Sequence, residues 1–264
     1  MIRWAVLAWA AATPVFSQVA REYPSALVRE EIQFTLEGKA ETWRLEWSEK
    51  PRPECDSEAS PSCPCMGFAY GESGDASLVR LRGGRELERL PLGPLFASAS
   101  ASLGEMPVLQ RNQPRSKDGE MGAAALKRSA AERKAVQLIK LGDYDHDGRA
   151  TEFYLQLASI PCGKSAGAVI GVSRNNPRLH ALGTADAPDK PMVLQQRTWD
   201  MLRRARRPVS LVTWSCGDHG SEIQEVQHLR WSARGIEGYA EDLKCDFEHG
   251  TIGPVVERKP LPTE

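Results

Sequence analysis

The sequence predicts an α+β fold that is mainly β, made of antiparallel hairpins with about two helices and stabilised by disulfides. Three observations carry that expectation. Short runs of alternating apolar and polar residues recur between turn residues, only two stretches have helical composition, and all six cysteines lie from Cys55 onward.

The chain opens Met1-Ile2-Arg3-Trp4, passes through an apolar block from Ala5 to Ala12 and turns polar at Gln18, with Val15 and Ser17 just before a cut after Ser17. One positive charge, a short apolar core and small residues near the cut form the pattern of a secretory signal peptide. The block is shorter than the roughly 20 residues that cross a bilayer, so a secreted or periplasmic protein with no membrane span after cleavage is expected. Lysine plus arginine number 34 against 35 aspartate plus glutamate, which leaves no global field for nucleic acid or an anionic membrane surface. A partner must be recognised locally, and the expected one is an extracytoplasmic ligand, protein or carbohydrate.

Cys55, Cys63, Cys65, Cys162, Cys216 and Cys245 are an even set in an exported chain and read as disulfides, with the pairing left open. A rival use is a metal site at Cys216 and His219, spaced Cys-x-x-His, but it lacks a second ligand pair.

In chain order, Ile32, Phe34 and Leu36 alternate with polar residues, a turn follows at Glu37-Gly38-Lys39, and Trp43, Leu45 and Trp47 alternate again. This is a half-buried hairpin whose tryptophans fill a core in preference to stacking on a sugar. A strand is expected at 77–82, no clear period from Pro91 to Leu103, and a linker at 111–122, rich in turn formers and charge. Ala123 to Lys134 has helical composition, Val136 to Leu141 reads as a strand, and Thr151 to Leu157 alternates as another. Further strands are expected at 168–173, 178–182, 209–214, 223–231 and 235–243, with a helix from about Val193 to Arg206 that turns Trp199 and Leu202 to one side. The organisation is therefore a signal peptide at 1–17, a β-rich region with a cysteine-rich loop at 18–110, the linker, an α+β region at 123–249 and a disordered tail at 250–264.

One stretch stands out chemically. Gly142-Asp143-Tyr144-Asp145-His146-Asp147-Gly148-Arg149-Ala150-Thr151-Glu152 places three carboxylates at alternate positions before a glycine. Calcium takes six to eight oxygens, and this spacing turns Asp143, Asp145 and Asp147 toward one centre while Gly148 lets the carbonyl of Arg149 face it too. Glu152 or water completes the shell. Three carboxylates without a cation would repel one another, which disfavours an empty polar turn.

The twelfth position counted from Asp143 is Tyr154, where an EF-hand has a bidentate glutamate. With strands on both sides, Gly-Asp-Tyr-Asp-His-Asp-Gly resembles the calcium loops of FG-GAP and related VCBS-type repeats. That resemblance covers about a dozen residues and the two flanking strands. It implies calcium in a loop joining two strands, with the next acidic ligand three residues after the glycine, where Thr151 stands one residue before Glu152.

His-Glu-x-x-His does not occur. His219 beside Asp218 is the best candidate for a catalytic acid or base. The expected function is a noncatalytic binding or surface module with structural calcium, and the alternative is a secreted hydrolase with a structural calcium ion.

Overall fold

Alternation from Leu27 to Trp47 closes into the hairpin of β1 (Leu27–Leu36) and β2 (Lys39–Trp47), which opens the first of four antiparallel sheets among the described residues. A computed structural model describes residues 27–54, 71–99, 107–111, 135–160, 164–232 and 235–261. The signal peptide, the first four cysteines, most of the linker and the helical stretch at 123–134 lie outside the described residues.

The first sheet runs β1-β2-β5-β6, with β5 at Ala76–Arg82 and β6 at Arg85–Pro91. A short helix, α1 (Gly93–Ala99), follows it and buries Leu95 and Phe96. A small sheet joins β3 (Arg52–Glu54), β4 (Gly71–Ser73) and β7 (Val108–Gln110). In the next sheet β9 (Lys164–Gly171) pairs with β8 (Glu152–Ile160) and also with the short β10 (His180–Ala181) and β11 (Leu194–Gln195). The last sheet is a plain meander of β12 (Val209–Trp214), β13 (Ile223–Ser232), β14 (Gly235–Asp246) and β15 (Thr251–Pro260).

Period-two side chains decide what packs on what. Trp43, Leu45 and Trp47 from β2 meet Leu78 from β5, Phe153, Leu155 and Leu157 from β8, and Ala168 and Ile170 from β9 in one apolar cluster. The regions before and after the linker thus share a core. Trp43 is 0% and Trp47 2% exposed, so both tryptophans are packing residues and neither offers a face to a sugar. The other side of β9 presents Val169 to a second cluster containing Leu194, Trp199, Leu202, Leu229 and Ile236. Trp199 and Leu202 sit on α2 (Gln196–Arg204), and the Trp199 indole donates to the carbonyl of Gly167 at 2.8 Å.

Charge is also built into the first sheet. Glu41 is buried and receives Arg80 through Nε at 2.7 Å and Nη2 at 2.8 Å, and Arg82 closes on the same carboxylate. Burial opposes ionisation of Glu41, but the hydrogen bonds from Arg80 and Arg82 outweigh it and hold the carboxyl below its ordinary range.

Two expectations are corrected here. Residues 136–141 join no strand ladder, because the N–H groups of Leu138 and Ile139 donate to the Glu30 carboxylate at 2.8 and 2.9 Å and that of Lys140 turns back to the Leu138 carbonyl at 3.0 Å. The tail is no disordered segment through residue 260, since β15 pairs along β14. Its Ile252, Val255 and Val256 are exposed, so ion pairs hold it: Arg258 to Glu241 at 2.5 Å and Lys259 to Glu225 and Asp242 at 3.0 Å. Pro254 falls where the register shifts, which spares the ladder its missing N–H. Leu261 then buries itself in the second cluster.

The helices also differ from expectation at their edges. α1 lies in a stretch with no readable period, and α2 is shorter than 193–206 because Gln195 and Ala205 are both extended. None of the described helices is long and apolar enough to cross a membrane.

Candidate metal centre

The loop at 143–151 is closed at its base by a bridge between Gly142 and Glu152, whose N–H and carbonyl groups exchange hydrogen bonds of 2.7 and 3.1 Å. Its turn is tight enough to place His146 at φ 60° and Gly148 at φ 86°, the left-handed region that glycine enters without strain. His146 is held there by packing, with its ring 5.3 Å from that of Trp231 and its Nε2 3.0 Å from the carbonyl of Leu202.

Asp143, Asp145 and Glu152 converge, each offering an oxygen within 4.8 Å of the others, and this cluster could hold a metal ion. Backbone donors orient all three of its members. The N–H of Gly148 donates to Asp143 Oδ2 at 3.1 Å and that of Asp147 to Asp145 Oδ1 at 3.0 Å. Asp143 Oδ1 is buried and accepts no hydrogen bond. Glu152, wholly buried, accepts from the Tyr144 N–H at 3.0 Å.

Electrostatics follow from this crowding. Burial, then the charge of Asp145, pushes the Glu152 carboxyl up to about 8, against the opposing bonds from Tyr144 and Thr151. The Thr151 hydroxyl lies 2.8 Å from both Glu152 Oε1 and the carbonyl of Val172. One hydroxyl proton cannot serve both acceptors, but a protonated Glu152 can donate to Thr151 while Thr151 donates to Val172. Burial likewise raises the Asp145 carboxyl, despite bonds from the Asp147 N–H and the Ser173 side chain. Such a site favours either a shared proton or a cation. Its donors are all hard oxygens, which fits a hard cation better than a soft one.

Asp147 and Arg149 are placed differently from the other sequence candidates. Arg149 Nη2 pairs with Asp147 Oδ2 at 2.8 Å, the Arg174 N–H donates to the same oxygen at 2.6 Å, and Arg149 also reaches Glu37 at 3.0 Å. Burial works against the Asp147 charge, but these donors prevail and its carboxyl is held low. A guanidinium thus stands beside Asp147 while Asp143, Asp145 and Glu152 face one another. Thr151 touches the cluster through Glu152.

The loop's neighbours were the harder part to foresee. Because β8 and β9 are antiparallel, the residues before Glu152 meet those after Gly171, which delivers Ser173 and Arg174 to Asp145 and Asp147. Gly171 lies opposite Glu152, where a Cβ would come within 2.2 Å of the Thr151 carbonyl oxygen. Glycine there lets the two strands close over the carboxyl.

The second candidate pair sits in a separate 3-10 turn at Asp218–Gly220. His219 Nε2 is 3.7 Å from Asp218 Oδ1, beyond hydrogen-bonding length, and Asp218 is ion-paired with Lys164. Cys216 bonds to Cys245, so a Cys216 and His219 metal site is excluded by the oxidised thiol. The arginines around α2 are mostly exposed, though Arg203 lies over the Tyr144 ring at 5.2 Å.

Compared with known proteins, the chain matches no protein family, no curated protein and no solved structure.

Proposed function

We propose that this is an exported calcium-binding protein in which the ion holds the loop at 143–152 as a structural brace of a noncatalytic binding or surface module. The observation that carries this reading is the convergence of Asp143, Asp145 and Glu152, with Asp143 Oδ1 buried and unpaired. A divalent cation supplies the counter-charge that a fully ionised cluster requires, and calcium tolerates the irregular geometry of a loop already tied by its own N–H groups. The FG-GAP and VCBS-type likeness of the loop supports the same ion. The Cys216–Cys245 disulfide and the leader-like first 17 residues support export.

Thermal unfolding in calcium and in chelator tests the reading. For a weak extracellular site with a dissociation constant on the order of 0.1 to 1 mM, about 10 mM calcium stabilises the wild type by roughly 1.4 to 2.7 kcal/mol, and Asp145→Ala abolishes the gain. Identical wild-type curves in the two buffers would sink it.

A further inference from the structure

The loop forms one wall of a cavity of about 370 Å³, whose other walls come from the turn after β9, the segment at 182–188 and the β13–β14 hairpin. Its lining is chemically uneven. Asn175, Asn176, Ser173 and Thr184 line it together with Asp145, Asp147, His146 and His180, the Ser173 side chain bonds to Asp145, and none of the described lining residues is a lysine or arginine. Amides and hydroxyls both donate and accept, which suits hydroxyls, while the carboxylates of Asp145 and Asp147 in the same lining disfavour an anion. Trp231 adds an aromatic surface, and its Nε1 is buried without a partner.

Asp145 belongs both to this cavity and to the acidic cluster. Calcium requires six to eight oxygens, more than the one oxygen apiece by which Asp143, Asp145 and Glu152 converge. Further oxygens are needed, and Asp145 is the member of the cluster that also lines the cavity, so that side is where they can arrive. A volume near the lower end of small-molecule pockets suits a single ring better than a peptide or an extended polymer.

We propose that the cavity binds one neutral sugar ring, with adjacent hydroxyls completing the calcium shell beside Asp145. The proposal rests on the calcium reading, because that ion links the cavity to the loop. Asn175 is exposed at the cavity edge and Asn175→Leu removes its amide without touching the acidic cluster.

Isothermal titration calorimetry of the full mature chain with glucose, galactose, mannose, fucose and glucuronate, in calcium and in chelator, tests it. The expected result is saturable binding of at least one neutral sugar in calcium, loss of that binding in chelator, and about tenfold weaker binding by Asn175→Leu, equivalent to one or two lost hydrogen bonds. Calcium that raises the melting temperature while no sugar binds overturns this inference and leaves the calcium reading standing. Sugar binding unchanged by chelator, with no calcium effect on melting, overturns both. Preference for glucuronate, or full binding by Asn175→Leu, also overturns it.

Discussion

Replacing Glu152 by glutamine separates the two ways in which the acidic cluster can be satisfied, by a proton or by a cation. In chelator the Glu152 carboxyl titrates at about 8 in the folded chain against 4.5 when exposed. An acid whose folded pKa lies above its unfolded value takes up a proton on folding, so stability is full below about pH 4.5, falls as pH rises, and levels off above about pH 8. At about pH 7 the accumulated cost is roughly 3 kcal/mol, at 1.36 kcal/mol per pH unit across about 2.5 units. Glu152→Gln cannot ionise and keeps an acceptor for the Tyr144 N–H. In chelator it should therefore match the wild type near pH 4.5 and exceed it at pH 7, by about 6 to 12 °C in melting temperature for a chain of this size. Calcium should reverse the order, because it stabilises the ionised wild type and gains little from the amide. Calorimetric melting across this pH range, with and without calcium, provides the measurement. If both proteins show the same pH slope in chelator, burial does not control Glu152 and the reasoning fails.

Three further outcomes are expected. Glu41→Gln takes the buried counter-charge from Arg80 and leaves it only Glu88, at 3.3 Å, so it should cost about 1.5 to 3 kcal/mol in denaturant unfolding; because the Glu41 carboxyl is held low, its stabilisation is present above about pH 4.5 and fades as acid is added, so the variant should lose less on acidification. Gly171→Ala drives a Cβ into the Thr151 carbonyl and should weaken calcium binding together with stability, by about 1 to 3 kcal/mol in melting, whereas an unchanged melting temperature would contradict the close strand approach. Cys216→Ser with Cys245→Ser opens a loop with a sequence separation of 29 and should cost about 3 to 4 kcal/mol, read by unfolding with and without reductant.

How far the sequence speaks depends on whether local pattern or distant contact shapes each segment. β2 and β8 are legible because Trp43, Leu45, Phe153 and Leu155 alternate with polar residues and one side of each strand is buried. β6 is not, since Arg85 to Pro91 is largely charged; part of what fixes it is Arg89 reaching Glu46 at 2.9 Å, 43 residues away in the chain. β15 is hidden for a similar reason, with two prolines and exposed valines paired by lysine and arginine to a neighbour. In the loop, alternation picks out Asp143 and Asp145, but the choice between Thr151 and Glu152 depends on which of them points inward. The same alternation includes Asp147, and what sets it apart is the Arg149 guanidinium and the Arg174 N–H, the latter from another turn. Asn175, Asn176 and Trp231 carried only turn and strand signals, because the cavity exists only once β9 and the β13–β14 hairpin are assembled.

The clasp on the outer edge of β1 bears on how the chain is made. Arg29 donates to the carbonyls of Gln110 and Val136, and Glu30 accepts from Leu138 and Ile139, the nearer of which lies 108 residues downstream. Until those residues emerge from the ribosome, the first sheet has a bare rim capable of pairing with another nascent chain. At roughly 5 to 20 residues per second the delay is about 5 to 20 seconds, a window in which a holdase protects more than any later increase in native stability.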